Sequence, residues 1–203
     1  MLTHLRRSIV FAAIAIVLTL AYGFLGTGVA QLFFRHQADG SITAHGSTLI
    51  GQNWSSPAWF HGRPDDSGPY AANPKKHISG GDNPLVANGV PGESASTALG
   101  PRSKVLLANT RALVRYWHHF GVTPTADLVT TSGSGYDPDI TRMDAIAEIP
   151  MVTRATGIPR SALLKLINRE NNSAELGFLG SSYIDVLQLN EGLALLKAAH
   201  HAS

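Results

Sequence analysis

An α+β domain (mixed α/β), soluble and attached to one N-terminal transmembrane helix, is the fold class this sequence predicts. Three observations carry it. Residues 9–30 run for 22 positions without a charge. Beyond them, helix-period apolar patterns recur at 103–120, 141–157 and 160–168. Short β-prone stretches at 42–44, 126–131 and 184–189 are mixed among these helices without a long βαβ repeat.

The uncharged run comes first. At about 1.5 Å rise per residue it reaches roughly 33 Å, enough for a hydrocarbon core of about 30 Å. A cleavable signal peptide is the rival, since Gly28-Val29-Ala30 looks like a small-residue cleavage site. Its apolar region would span only about 7–15 residues, so a retained anchor fits the length better. His4, Arg6 and Arg7 precede the run, and only Arg35 and His36 flank it afterwards. The positive-inside bias then predicts a single-pass protein of the cell (inner) membrane, N-terminus cytoplasmic and main domain extracytoplasmic. The division expected is 1–36 for the anchor segment and 37–203 for the domain. Within the anchor, Ala12, Ala15, Thr19, Gly23 and Thr27 recur at steps of three or four. Such a face lets a partner transmembrane helix approach closely, or it is the accidental face of an alanine-rich anchor. A single span cannot by itself form a transport path.

Composition narrows the domain's chemistry. The chain has no cysteine, which excludes disulfides, thiolate metal sites and cysteine nucleophiles. Its formal charge of +2 comes wholly from Arg6 and Arg7, since the chain after the first 34 residues holds as many basic as acidic residues. No Lys/Arg cluster forms a face, so nucleic acid is not an expected partner.

In order after the anchor, 37–47 reads as a link with a first strand at 42–44. Residues 47–54 form an extended turn into an aromatic patch with Trp59 and Phe60. A Gly/Pro/Asn/Ser-rich region from 62 to 101 shows no periodicity, and loops of that length are usually functional or partly disordered. A helix follows at 103–120, with Leu106, Leu113, Trp117 and Phe120 on one stripe and Gly121 as its stop. His118 and His119 near its end read as solvated side chains. Residues 126–131 read as a strand. Thr141 and Asp144 fit a capping box for the next helix, in which Pro150 is expected to bend or break the chain and Gly157 to end it. A helix at 160–168 buries Leu163, Leu164, Leu166 and Ile167. Residues 184–189 read as a strand, after which Asn190 caps a terminal helix.

Between the expected strand and the capped helix lies Thr131-Ser-Gly-Ser-Gly-Tyr-Asp-Pro-Asp139. Glycines let backbone N–H groups converge, and a helix start adds a positive end. Taken alone, the loop could hold an anion, a cation through its carbonyls, or another protein's surface. Catalytic patterns do not fit it. Ser132 stands where a nucleophile elbow ending in Ser134 needs glycine. Neither phosphate-binding glycine motif is present. The order of an EF-hand loop is absent around Asp137, Asp139 and Asp144. His45, His61 and His77 lie in turn-rich stretches with no supporting pattern. A membrane-anchored envelope serine hydrolase using Ser132 or Ser134, or a stand-alone binding module, is the alternative that the residues alone leave open.

Several strings, in order, resemble one family. They are Gly46-Ser-Thr-Leu-Ile-Gly-Gln52, Trp59-Phe-His-Gly-Arg-Pro64, Ser79-Gly-Gly-Asp-Asn83, Leu99-Gly-Pro101, Asp127-Leu-Val-Thr-Thr-Ser-Gly-Ser-Gly-Tyr-Asp-Pro138 and Leu187-Gln-Leu-Asn190. Together with the single span they resemble the C subunit of the Kdp-type potassium-transporting P-type ATPase (KdpC), over almost the whole chain. The resemblance implies a non-catalytic subunit with no cofactor of its own, ATP and potassium being handled at the level of the complex. Its implied partners are a channel-like potassium-binding subunit, a P-type ATPase subunit that hydrolyses ATP, and a small hydrophobic subunit. In that family the C subunit supports assembly and acts as a catalytic chaperone that raises the pump subunit's affinity for ATP. The positions carried over as signature or partner-contact candidates are Gly51, Gln52, Gly62, Arg63, Pro64, Ser79, Gly80, Gly81, Asn83, Ser132, Gly133, Ser134, Gly135, Asp137 and Pro138.

The chain departs from the pattern in two places. Residues 84–98 look like a loop insertion, which costs little in loop-closure entropy. In the helix after the loop, Glu148, Met151 and Thr156 stand where the pattern carries a glutamine and basic residues, while Arg154 remains. An extracytoplasmic domain also cannot touch cytoplasmic ATP. An effect on ATP affinity would have to pass through the membrane helices or the pump subunit's conformation. The expectation for the Ser-Gly-Ser-Gly loop is therefore a structural turn and a partner contact.

Overall fold

The computed structural model describes residues 2–52, 54, 56–64, 99–174 and 176–201. Ser79, Gly80, Gly81, Asn83, His77 and the insertion at 84–98 lie outside the described residues. The chain divides into two compact units, Met1–Thr43 and Ala44–Ser203.

The first unit is dominated by α1 (Leu2–Phe33), 32 residues long. At about 1.5 Å per residue it measures roughly 48 Å, so it extends past the uncharged run at both ends. By length and composition it is long and apolar enough to cross a membrane. Ala12, Ala15, Thr19, Gly23 and Thr27 are all exposed along it. The hydroxyls of Thr19 and Thr27 donate to the carbonyls of Ala15 (2.8 Å) and Gly23 (2.9 Å). Their polarity is thus satisfied within the helix, as an apolar surrounding requires. A one-turn helix, α2 (Arg35–Ala38), and β1 (Ile42–Thr43) close this unit.

The second unit opens with β2 (Gly46–Ser47) and holds α3 (Lys104–His119), β3 (Asp139–Ile140), α4 (Arg142–Thr156), α5 (Arg160–Arg169), β4 (Ile184–Asp185) and α6 (Val186–His201). Ser103 caps α3 by accepting the Leu106 N–H. Only Leu113 and Trp117 of its expected stripe are fully buried, with Leu106 and Phe120 half-buried. His118 and His119 are exposed at its end. The capping box of α4 is present, Thr141 accepting from the Asp144 N–H and Asp144 from the Thr141 N–H. Pro150 does not break α4, which runs on through it. Gly157 ends that helix with φ +74, a left-handed conformation in which a Cβ would be strained. In α5, Leu163, Leu166 and Ile167 are buried and Leu164 half-buried.

Two expected strands are corrected. Residues 127–129 form a 3-10 turn rather than a strand. Thr125 and Thr130 account for this, since their hydroxyls bond backbone groups of Leu128 and Ala126 and compete with any ladder. The strand expected at 184–189 stops after two residues, because Asp185 accepts the Gln188 N–H at 2.8 Å and starts α6. Asn190 is consequently not a cap but a buried residue inside α6.

β3 and β4 pair antiparallel, with Asp139 opposite Asp185 and Ile140 opposite Ile184. This minimal sheet joins the start of α4 to the start of α6, and α5 packs on both helices. The core between them contains Ile149, Met151, Val152, Leu163, Ile167, Ile184, Leu189 and Leu193, closed by Trp117, Leu128 and Phe60. Met151 is core.

Candidate functional site

The Ser-Gly-Ser-Gly loop is built from its own short side chains. Ser132 is buried and its Oγ accepts the Gly135 N–H at 2.9 Å. Ser134 Oγ lies 3.3 Å from Ser132 Oγ and accepts the Tyr136 N–H at 3.1 Å. Asp137 Oδ1 accepts the Asp139 N–H at 3.2 Å. Gly135 takes φ +74, the conformation that closes this reversal. Each turn thus satisfies the next residue's donor, and Gly133 and Ser134 stand exposed at the tip.

Three distant segments hold the loop. The Gly51 N–H donates to the Tyr136 carbonyl at 2.7 Å. Arg63, flanked by buried Gly62 and Pro64, donates to Asp137 Oδ2 (3.3 Å) and the Thr131 carbonyl (3.2 Å) and lies 3.7 Å from Asp127. The Val186 N–H at the start of α6 donates to the Pro138 carbonyl at 3.0 Å. Gly51, Arg63, Ser132, Gly135, Asp137 and Pro138 therefore meet in one assembly. Gln52 sits beside it and turns its amide to the Ser47 carbonyl at 3.2 Å. One guanidinium thus cross-links two carboxylates and a carbonyl in a half-buried site.

Beneath the loop are polar contacts that sequence reading missed. His61 and Glu148 are both fully buried. Glu148 Oε2 accepts the His61 backbone N–H at 3.0 Å and shares a 2.8 Å hydrogen bond with His61 Nδ1. The imidazole meets the Trp117 ring edge-on at 5.1 Å, and the Trp117 indole N–H donates to the Leu128 carbonyl at 2.8 Å. Burial pushes the Glu148 carboxyl above its ordinary range, opposed by its bonds to His61. A second clamp joins Asn190 to Phe60: its amide oxygen accepts the Phe60 N–H (2.9 Å) and its amide nitrogen donates to the Phe60 carbonyl (2.8 Å). Asn190 was visible as part of Leu187-Gln-Leu-Asn190, and His61 as part of Trp59-Phe-His-Gly-Arg-Pro64. No local pattern shows which residue each one meets.

The facing aspartates of β3 and β4 carry a pH dependence. Burial, then the nearby Asp137 and Asp185 carboxylates, raise Asp139 from 3.8 to about 6. A folded value above the ordinary one means the fold favours the protonated form. That contribution is complete below pH 3.8 and is lost as pH rises through about 6. Asp139→Asn is therefore expected to be the more stable form at pH 7.5 by about 1 kcal/mol, after discounting for half-exposure, with the advantage gone near pH 3.5. Thermal melts of the full-length chain in detergent at the two pH values measure this.

The arrangement offers poor nucleophile chemistry. Ser132 Oγ is committed to the Gly135 N–H. The ring of His61 pairs with Glu148, and that of His45 with Glu191 at 3.0 Å. Among the described residues no group of three His, Asp or Glu side chains is placed to hold a metal ion. What remains is a braced loop with an exposed tip.

A family model described as "K+-transporting ATPase, c chain" (KdpC) matches residues 5–195. The chain belongs to the KdpC family. Among its relatives, the potassium-transporting ATPase KdpC subunit of Caulobacter vibrioides is 37% identical over 202 residues, which cover 95% of this chain and 93% of that protein. The KdpC subunit of Rhodopseudomonas palustris is 37% identical over 209 residues, covering 98% and 99%. That of Gemmatimonas aurantiaca is 34% identical over 206 residues, covering 98% and 96%. Matches of this length take in the apolar helix and the domain together, as the KdpC resemblance of the sequence leads one to expect.

Proposed function

We propose that this KdpC-family chain is a non-catalytic accessory subunit of a potassium-transporting ATPase, supporting assembly and raising the ATP affinity of the pump subunit. The observation that carries this reading is the family match from residue 5 to 195, through both the anchor and the braced loop. The geometry supports the non-catalytic part: side chains that would do chemistry elsewhere are here used to hold backbone. Ser132, Asp137, Arg63 and Asn190 each bond main-chain groups. A loop stiffened this way presents its tip, Gly133 and Ser134, in one shape, which lowers the entropy cost of meeting a partner.

The proposed partners are a channel-like potassium-binding subunit, a P-type subunit that hydrolyses ATP and a small hydrophobic subunit. The exposed small residues Ala12, Ala15, Thr19, Gly23 and Thr27 of α1 suit close packing on their membrane helices. With the N-terminus in the cytoplasm, the domain would sit on the potassium-entry side, and ATP affinity would change by coupling between sites rather than by contact with nucleotide.

Co-expression with the three partners and mild detergent extraction tests the assignment. All three are expected to co-purify, and a complex lacking this chain should need more ATP for half-maximal potassium-stimulated hydrolysis. An unchanged ATP requirement would remove the chaperone role, and failure to co-purify would leave a stand-alone module. The chain's lack of cysteine makes sidedness directly measurable. Ser134→Cys is expected to react with a membrane-impermeant maleimide from outside intact cells, and labelling only from the cytoplasmic side would reverse the topology.

A further inference from the structure

Between α5 and β4 the chain makes a loop that exposes apolar side chains which the domain's own fold does not use. Leu176 is 79% exposed, Phe178 75% and Leu179 51%. Residues 176–183 contain no charge, and Glu175 directly precedes them. The stem is fixed by a bridge in which Asn172 and Tyr183 exchange backbone hydrogen bonds of 2.8 and 3.1 Å. At the tip, the Gly177 N–H donates to the Ala174 carbonyl at 2.9 Å, and Leu176 lies at φ +53. A left-handed backbone is strained for a bulky side chain. The fold therefore accepts strain in order to keep a leucine in water.

We infer that this loop inserts its apolar tip into the acyl–headgroup boundary of the bilayer in which α1 is anchored, an inference that rests on α1 being a membrane span. Three exposed apolar side chains are far fewer than the roughly 20–30 residues a side of a standard protein interface. Leu176, Phe178 and Leu179, with a single charge beside them in the sequence at Glu175, suit a shallow apolar wedge at the headgroup level of a lipid surface. Within the domain unit, the chain's entry lies near the stem of the loop. His45, the second residue of the domain unit, bonds Glu191 on α6 at 3.0 Å. The loop's stem runs through Tyr183 directly into β4 and the start of α6 at Val186. Along the helix, Val186 and Glu191 are separated by only about 8 Å, so the chain enters the domain close to where the loop leaves it. From α1 to the domain unit there are ten residues, 34–43, spanning at most about 36 Å. A tether that short makes contact with the bilayer an intramolecular event, so a wedge too weak to bind membranes alone is sufficient.

The test uses the full-length chain, which has no cysteine of its own, reconstituted in phosphatidylcholine–phosphatidylglycerol vesicles. A nitroxide is attached at Phe178→Cys, or at Ser161→Cys on the exposed side of α5 as the reference. The 178 label is expected to be relaxed more by dissolved oxygen and less by a water-soluble nickel chelate than the 161 label. Adding Leu176→Ser and Leu179→Ser should abolish that difference. Equal chelate access at the two positions overturns the inference. So does protection of the 178 label that appears only when the partner subunits are reconstituted as well, because the loop then docks on protein. Resistance to alkaline carbonate extraction is read on the same samples. Release of the chain overturns the anchor and the loop together, whereas retention with a water-exposed 178 label overturns the loop alone.

Discussion

Asn190→Leu is expected to destabilise the domain by about 3–5 kcal/mol, since it strands a buried N–H and a buried carbonyl at once and each costs about 1–3 kcal/mol. The two groups are the backbone of Phe60, which itself is fully buried between α6 and Trp117's neighbours in the core. Leucine has the same branched skeleton as asparagine with bulkier ends, so no cavity contributes to the loss. Asn190→Asp sharpens the point. An ionised carboxylate still accepts the Phe60 N–H but faces the Phe60 carbonyl with no proton to donate, whereas a protonated one can donate. Its penalty should therefore shrink as pH falls. Urea unfolding of the full-length chain in detergent, followed by far-UV circular dichroism, measures both variants. A loss below about 1 kcal/mol for Asn190→Leu would mean that Phe60 finds other partners.

Glu148→Ala is expected to cost a comparable 3–5 kcal/mol, because removing one member of a buried polar pair leaves the other without compensation. Here it leaves the His61 ring nitrogen and the His61 N–H together. Glu148→Gln should retain most of the stability, as an amide oxygen can accept both bonds. The pH dependence separates the two forms of the residue. Burial raises the carboxyl above its ordinary 4.5, so its contribution to stability is complete below pH 4.5 and declines as pH rises through the folded value. Relative to the parent, Glu148→Gln should accordingly look least favourable at pH 4 and gain as pH increases. A difference independent of pH would show that the carboxyl does not change ionisation in this range.

Much of the fold was legible because its signals are local. Gly121 after α3, Thr141 with Asp144 before α4 and Gly157 after it act within one turn of the helix they bound. The errors were also local, but came from competition. Val129 and Thr130 favour strands, yet Thr125 and Thr130 use their hydroxyls to tie the backbone into a 3-10 turn. The alternation at 184–189 hid an Asp185-x-x-Gln188 start signal that favours helix from Val186 onward. For Pro150, neighbouring turns and the core contacts of Ile149, Met151 and Val152 outweigh one missing hydrogen bond.

The membrane-length helix, the caps of α4 and the family were readable from the chain alone, because each depends on residues contiguous in it. A hydrocarbon layer demands an unbroken uncharged run, and that property can be read without a partner. The tertiary structure alone decided what the polar residues are for. His61 meets Glu148 across 87 positions and Phe60 meets Asn190 across 130. Those pairs exist only because the packing of α4 and α6 excludes water around them. Water would otherwise satisfy the same groups anywhere on the surface, so nothing in the local sequence has to announce the match.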